Sequence, residues 1–148
     1  MSYSEEMLAY FKSHIGRGYP DNTKTFGKWL EPIVREVEPK RLVLEYTIRP
    51  EQANPAGLAH GGVIASIIDE TIGAMMVYIG EPHFKASINL NIDFISTCRP
   101  GDILLAEAKL VKYGKTLSHG ECVITRKDDN RVIAKGSCNT ITLVKRDS

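Results

Sequence analysis

The sequence predicts an α+β fold in which one long apolar helix packs against an antiparallel sheet. Residues 59–80 form a long apolar stretch whose hydrophobic positions cover more of a helix than one narrow stripe, so this helix should be largely buried. Residues 86–144 contain four strand-like segments separated by turns, and residues 30–48 contain two more. A hairpin, one helix and four further strands favour a single curved sheet that wraps around the helix.

Composition and charge exclude several classes of protein. The 148 residues are enough for one domain with a sizeable core. The formal net charge is +1 and no basic block is present, so we expect neither nucleic-acid binding nor membrane binding. Cys98, Cys122 and Cys138 are widely spaced and contain no CxxC pair, which predicts buried free thiols rather than a disulfide or zinc site. Neither a signal-peptide pattern nor a membrane-spanning run is visible, so we expect a cytoplasmic protein.

The part of the chain before the long helix is predicted to form a short helix, a loop and a hairpin. Residues 4–13 have the pattern of an amphipathic helix, and residues 16–28 are rich in Gly, Asn, Thr and Pro, which is typical of a loop. Strands are predicted at 30–37 and 41–48, and residues 51–60 form a loop that leads into the long helix.

The four strands after the helix are predicted at residues 86–97, 103–112, 116–125 and 131–144. In the first of them, hydrophobic positions 88, 90, 92 and 94 alternate with polar positions 87, 89, 91 and 93. Because strand side chains alternate between faces, this pattern predicts that Ser87 shares a polar face with Asn89 and Asn91. The turn at 113–115 suits a hairpin between the second and third strands.

The long helix carries two features that a buried helix does not need. It opens on Gly61 and Gly62, and Asp69 and Glu70 interrupt its apolar run. The free N–H groups of a helix N-terminus attract negative charge and can stabilise an oxyanion, and glycine lets a ligand approach them. A partly buried carboxylate could act as base or nucleophile in acyl transfer. The two acids lie about 100° apart around the helix, so one should face an enclosed site and the other, which we take to be Glu70, the margin.

Distance along the helix separates these two features. His60 and Asp69 are nine residues apart, which is about 13 Å of helix. They cannot act on one carbonyl group within a single chain. An antiparallel copy of the helix, related by a two-fold axis, would bring its Asp69 beside Gly61 of the first chain, so a catalytic role predicts a dimer.

The segment from Asn54 to Gly62, NPAGLAHGG, followed by Asp69, resembles the hotdog-fold acyl-CoA thioesterases of the phenylacetate-degradation (PaaI-like) type. The resemblance continues through the strand of Ser87 and the hairpin at 111–121, and it covers about residues 30–143. It implies a single hotdog domain over residues 1–148, with an N-terminal helix and loop at 1–28 and the core at 29–148.

The resemblance also implies roles for individual residues. Asp69 takes the position of the catalytic general base or nucleophile, while the Gly61 N–H and the Asn54 side chain polarise the thioester carbonyl. His60 helps to shape the pocket, and Ser87 orients the attacking water. The coenzyme A contacts would come from Gly62, Phe94, Arg99, Lys112, Gly114, Lys115 and Thr116, although Thr97 stands where many relatives have proline.

The predicted function is hydrolysis of a small or medium acyl-CoA to the free acid and coenzyme A, by a homodimer or a dimer of dimers. No metal or separate cofactor is expected, because coenzyme A is part of the substrate. One alternative is a hotdog hydratase or dehydratase, whose differently spaced motif is absent here. Another is a non-catalytic acyl-CoA sensor, for which residues 1–28 are too short and too weakly basic to supply a DNA-binding segment. The acyl group is not specified by the sequence.

Overall fold

A computed structural model describes residues 1–18 and 24–144. Two short helices precede the first hairpin, and one long helix lies between that hairpin and four further strands. A single turn of 3₁₀ helix, Pro50–Gln52, lies in the loop before the long helix. The remaining elements are α1 Tyr3–Lys12, α2 Phe26–Trp29, β1 Ile33–Glu38, β2 Arg41–Thr47, α3 Gly61–Val77, β3 Phe84–Phe94, β4 Ile103–Lys112, β5 Leu117–Arg126 and β6 Val132–Leu143.

The six strands form one antiparallel sheet in the order β1-β2-β4-β5-β6-β3. Helix α3 packs against β2, β3, β4, β5 and β6. These five strands are neighbours in the sheet, so the helix packs across almost its whole width. The predicted α+β layout, with one buried helix inside a curved antiparallel sheet, is therefore confirmed.

Two strand glycines let α3 lie directly on the sheet. A Cβ atom on Gly120 would stand 2.9 Å from Cγ2 of Ile72, and one on Gly136 would stand 2.9 Å from Cγ2 of Ile68. Both isoleucines are completely buried. Any side chain at these glycines would push the helix off the sheet, so they fix the depth at which α3 lies.

The structure changes three of the predicted elements. A short helix, α2, occupies residues 26–29 at the end of the predicted loop, whose residues 19–23 lie outside the described part of the chain. Strand β1 begins at Ile33 rather than Leu30, because Leu30 caps α2. Strand β3 ends at Phe94, three residues before its predicted end.

The predicted alternation of β3 is wrong at one position. The register against β6 pairs Ser87 with Thr140 and Asn89 with Asn139, so Ile88 is an extra residue, a β-bulge. Because a bulge reverses the alternation on one side of it, Ser87 does not share the polar face of Asn89. It faces α3 instead, on the same side of the sheet as the buried Thr140.

The cysteine prediction is confirmed, because Cys98, Cys122 and Cys138 are free and buried. Burial raises the pKa of Cys98 to about 11 and also raises the pKa of Cys138, so both remain thiols near neutral pH. Within residues 1–18 and 24–144, no helix is long and apolar enough to cross a membrane.

Candidate active site

The N-terminus of α3 presents a backbone donor. His60 is the N-cap residue, and its ring Nδ1 accepts a hydrogen bond of 2.8 Å from the Gly62 N–H. Its own N–H donates to the Gln52 carbonyl at 2.8 Å, which ties the helix start to the preceding loop. No acceptor in the described part of the chain meets the Gly61 N–H. This group is therefore available to an incoming oxygen atom.

Asn54 lies in the loop that returns to this same end of the helix. Its Oδ1 accepts hydrogen bonds from the N–H groups of Ala56, at 3.0 Å, and Leu58, at 3.2 Å. Two backbone donors on one side-chain oxygen fix the orientation of the amide, so the NH₂ group faces away from the loop. Asn54 is half-buried, and this orientation leaves its NH₂ group as a donor that faces away from Ala56 and Leu58.

Asp69, the acid that the sequence predicted to be catalytic, lies in the middle of α3. Asp69 is exposed in the single chain, and its Oδ1 accepts a hydrogen bond of 2.8 Å from the Ser87 hydroxyl. The β3 bulge makes this contact possible, because it turns Ser87 toward the helix. Asp69 and Ser87 therefore form one preorganised pair.

The other acid is enclosed, contrary to the prediction that it lies at the margin. Glu70 is half-buried, and its carboxylate packs against the backbone of Gly27, where it occupies the space that a Cβ would need. The adjacent acids do occupy different environments, as expected from their angular separation. In the single chain, however, Asp69 is the open acid and Glu70 the enclosed one, because α2 covers that side of the helix.

The residues predicted to bind coenzyme A lie at two distant places. The Phe94 ring lies 3.5 Å from the position of a Cβ on Gly61, at the N-terminal end of α3. Arg99 belongs to the same end, because the neighbouring Cys98 carbonyl accepts a hydrogen bond from the Ala59 N–H. Gly62, in the first turn of α3, belongs to this end as well. The remaining four predicted contacts, Lys112, Gly114, Lys115 and Thr116, belong to the β4–β5 hairpin.

That hairpin lies beyond the opposite end of α3, where Tyr113 packs against the backbone of Gly80. A helix of 17 residues is about 25 Å long, so one chain does not bring the two groups together. Lys112, Lys115 and Thr116 are exposed, and Gly114 packs against the Leu117 carbonyl. The two groups of predicted coenzyme A contacts can therefore form one site only if residues of two chains contribute to it.

Sequence reasoning missed two residues that support the site. The Cys138 thiol donates to the Ser87 hydroxyl oxygen at 3.4 Å and so lies directly behind the Asp69–Ser87 pair. The Lys85 ammonium donates to the carbonyls of Met76, at 3.4 Å, and Ile79, at 3.0 Å, at the end of α3, and burial lowers its pKa. Both contacts depend on the register of β3, which a sequence pattern does not give.

Known proteins resemble this chain in sequence and in structure. The sequence profile of the thioesterase superfamily matches residues 56–133, a segment that includes His60, Asp69 and Ser87 but not Asn54. Mouse acyl-coenzyme A thioesterase 13 is 30% identical over 100 residues, which span 66% of this chain and 70% of that protein.

Two solved structures show the same fold. The Escherichia coli PaaI protein from the phenylacetic acid degradation operon has a TM-score of 0.79 at 18% identity, and the match covers 99% of this chain and all of that one. A Streptococcus mutans protein bound to acetyl CoA has a TM-score of 0.76 at 19% identity, with 87% of this chain and 99% of that chain covered. These likenesses confirm the predicted hotdog fold.

Proposed function

Because the chain belongs to the thioesterase superfamily and is a thioester hydrolase, we propose that it hydrolyses acyl-coenzyme A at a site shared by two copies of itself. Two findings support coenzyme A as the leaving group. A relative with 30% identity is an acyl-coenzyme A thioesterase, and a protein of the same fold was solved with acetyl CoA. The acid and the oxyanion donors of the site described above match the requirements of this reaction.

The observation that carries the proposal is the Asp69–Ser87 pair, with the two oxygens 2.8 Å apart and the carboxylate open to the outside. In our mechanism Asp69 is the general base that takes a proton from water, and Ser87 positions that water and the carboxylate. The resulting hydroxide attacks the carbonyl carbon of the thioester. The carbon–sulfur bond then breaks, and coenzyme A leaves as the thiolate, which takes up a proton.

The negative charge that develops on the carbonyl oxygen needs donors on the other side of the substrate. The Gly61 N–H and the Asn54 NH₂ group are such donors, but Gly61 lies eight residues from Asp69, or about 12 Å along the same helix. We therefore assign the oxyanion donors to Gly61 and Asn54 of the partner subunit. The same two-fold pairing would bring Phe94 and Arg99 of one chain toward the hairpin lysines of the other.

The test is thiol release from a panel of acyl-CoA substrates of increasing length, including an aromatic one, by the wild type and two variants. Asp69→Asn keeps the size of the side chain but removes the base, so kcat should fall by about 10²-fold or more. Glu70→Gln is the matched change on the adjacent acid and should keep kcat within about threefold, because Glu70 faces α2.

Circular dichroism and mass measurements on both variants must show an unchanged fold and oligomeric state. A wild type that binds acyl-CoA without releasing thiol would identify a sensor rather than an enzyme of this class. Loss of activity in Glu70→Gln with Asp69→Asn near wild type would reverse the assignment of the base.

A further inference from the structure

A groove of about 440 Å³ opens beside the proposed catalytic carboxylate. Asp69 and Ser87 line one end of it, while Val77 and Phe84 line the other. This order follows from two contacts, since Ser87 lies against Asp69 and Lys85 lies against the end of α3 at Ile79. The volume is within the range of about 300–1,000 Å³ that is typical of small-molecule sites.

The floor of the groove contains a gap one helical turn from the carboxylate. Asp69, Gly73 and Val77 follow one another at four-residue spacing and are all exposed, so they form one uncovered face of α3. Apart from its chain neighbours and the backbone of its own helix, a Cβ on Gly73 would meet no atom within 4 Å. Glycine is unfavourable inside a helix, and nothing close to Gly73 in the single chain requires it. The absence of a side chain at Gly73 leaves space in the floor of the groove.

The charged groups near the groove point away from its middle. The Glu70 carboxylate packs against Gly27, on the side of α2. The Lys85 ammonium is held by the carbonyls of Met76 and Ile79, so its methylene groups, rather than its charge, face the groove. The remaining wall is apolar, with Ala74 and Ala86 among its residues.

The proposed two-fold pairing leaves this part of the groove free of the partner's helix. When Asp69 stands beside Gly61 of the partner subunit, two antiparallel helices cross midway between these positions. The partner's helix begins at its own Gly61, so along this chain it extends no further than Asp69. Gly73 and Val77 lie past its end, and Gly73 is therefore not explained as a close contact between helices.

We propose that this groove binds the acyl chain of the substrate and that Gly73 determines the chain length accepted. The inference rests on the proposed acyl-CoA hydrolysis and identifies its substrate class as straight acyl chains of medium length. The distance from Asp69 to Val77 is eight residues, or about 12 Å, which accommodates roughly eight to ten carbons beyond the carbonyl. Phe84 closes the far end and separates the groove from a second cavity of about 490 Å³.

The experiment compares wild type, Gly73→Ala, Gly73→Leu and Phe84→Ala on acyl-CoA substrates from two to sixteen carbons. Gly73→Leu should lower kcat/KM for decanoyl-CoA by about tenfold or more, because the leucine fills the groove, and should keep acetyl-CoA within about threefold. Gly73→Ala is the matched control at the same position, with one added methyl group, and should shift the profile only slightly. Phe84→Ala should move the optimum to longer chains, because it joins the two cavities.

The mass of each variant in solution shows whether its effect on activity comes from the groove or from a changed subunit contact. Opposite shifts of the optimum in Gly73→Leu and Phe84→Ala, with an unchanged oligomer, support the proposal. An unchanged chain-length profile in Gly73→Leu overturns it, and so does a uniform loss on every substrate or dissociation of the oligomer. A wild type that hydrolyses no acyl-CoA would instead overturn the proposed function, and this inference with it.

Discussion

The two edges of the sheet are built in different ways. Strand β1 forms one edge and β3 the other, and both belong to the same six-stranded antiparallel sheet. An edge strand exposes unpaired backbone groups to other chains, so natural proteins usually cover or charge it. Only one of the two edges follows this rule.

The β1 edge is closed by the chain itself. The Gly16 N–H donates to the Val34 carbonyl at 2.7 Å, and the Val34 N–H donates to the Arg17 carbonyl at 2.9 Å. Charges also cover the strand, because Arg41 pairs with Glu36 at 2.9 Å and lies beside Glu38. Such an edge does not accept another strand.

The β3 edge has the opposite character. In the part of the chain that the structure describes, β3 pairs with β6 and with no strand on its other side. Large apolar side chains in its middle and at its end are exposed, with Ile88 at 54% and Phe94 at 60%. An apolar open edge beside the Asp69–Ser87 pair is what a shared site needs, so the difference between the edges supports our proposal that a second copy pairs along β3.

The largest expected effect comes from a charge placed on the open edge. In Ile88→Lys the added ammonium would be buried at the proposed dimer contact, so the protein should become monomeric and lose about 10²-fold or more of kcat/KM. Analytical ultracentrifugation and thiol release measure the two consequences on one sample.

Glu36→Lys, on the β1 edge, is the matched control. It introduces the same side chain on an exposed strand position and should change neither the mass nor the activity, since exposed charge pairs contribute little. A monomeric Ile88→Lys variant with full activity would show that one chain contains a complete site.

The second prediction tests the shared site by complementation. Asp69→Asn and Asn54→Ala should each be strongly impaired alone. When the two variants are refolded together in equal amounts, about half of the dimers are hybrids, and each hybrid contains one intact site, so about a quarter of wild-type turnover should return. Mass spectrometry confirms that hybrids form. No recovery from confirmed hybrids would place all the site residues in one chain.

A smaller effect is expected from the residue that the β3 bulge aims at the carboxylate. Ser87→Ala removes a hydrogen bond to a charged group, which should lower kcat by about tenfold with little change in KM. Ser118→Ala, at a hydroxyl that contacts the Gly114 backbone instead, is the matched change and should keep kcat near wild type. Equal losses in both variants would attribute the effect to the sheet rather than to the site.

The smallest effect on activity is expected from a change at Glu45, beside the closed edge. This change should have a measurable effect on stability. Glu45 is buried and binds Arg35 and Lys127, each at 2.9 Å. Glu45→Gln should lower the free energy of unfolding by about 1–2 kcal/mol, because both cations are partly solvated, and leave the kcat of the folded enzyme unchanged.

The difference in the free energy of unfolding between the wild type and Glu45→Gln should depend on pH in a defined direction. The hydrogen bond from Arg35 is the main cause that lowers the pKa of Glu45 below its ordinary value of 4.5. The stabilisation is therefore fully present above pH 4.5 and is lost as the pH falls through the lowered pKa. Urea unfolding of the wild type and Glu45→Gln should show a difference in the free energy of unfolding at pH 7 that becomes smaller in acid. A difference that is constant with pH would mean that the charge of Glu45 contributes nothing to stability.

Local patterns in the sequence determined the layout of the helices and strands and the motif of the candidate site. The apolar run of α3, the glycine pair at its start and the turns between the later strands were enough to predict the layout, because helix and strand periodicity and turn chemistry act over a few residues. Strand β4 matches its predicted bounds, and β5 and β6 differ by one residue at each end. The motif from Asn54 to Asp69 was likewise visible, since all its parts lie within one short segment.

Tertiary structure decided which side chains meet. The bulge at Ile88 turns Ser87 toward Asp69, and it exists only through the pairing of β3 with β6, about 50 residues further along the chain. Helix α2 encloses Glu70 and leaves Asp69 open, although the two acids are neighbours in the sequence. Register and burial depend on contacts between distant segments, and a pattern read along one segment carries no information about the segment that will pack against it.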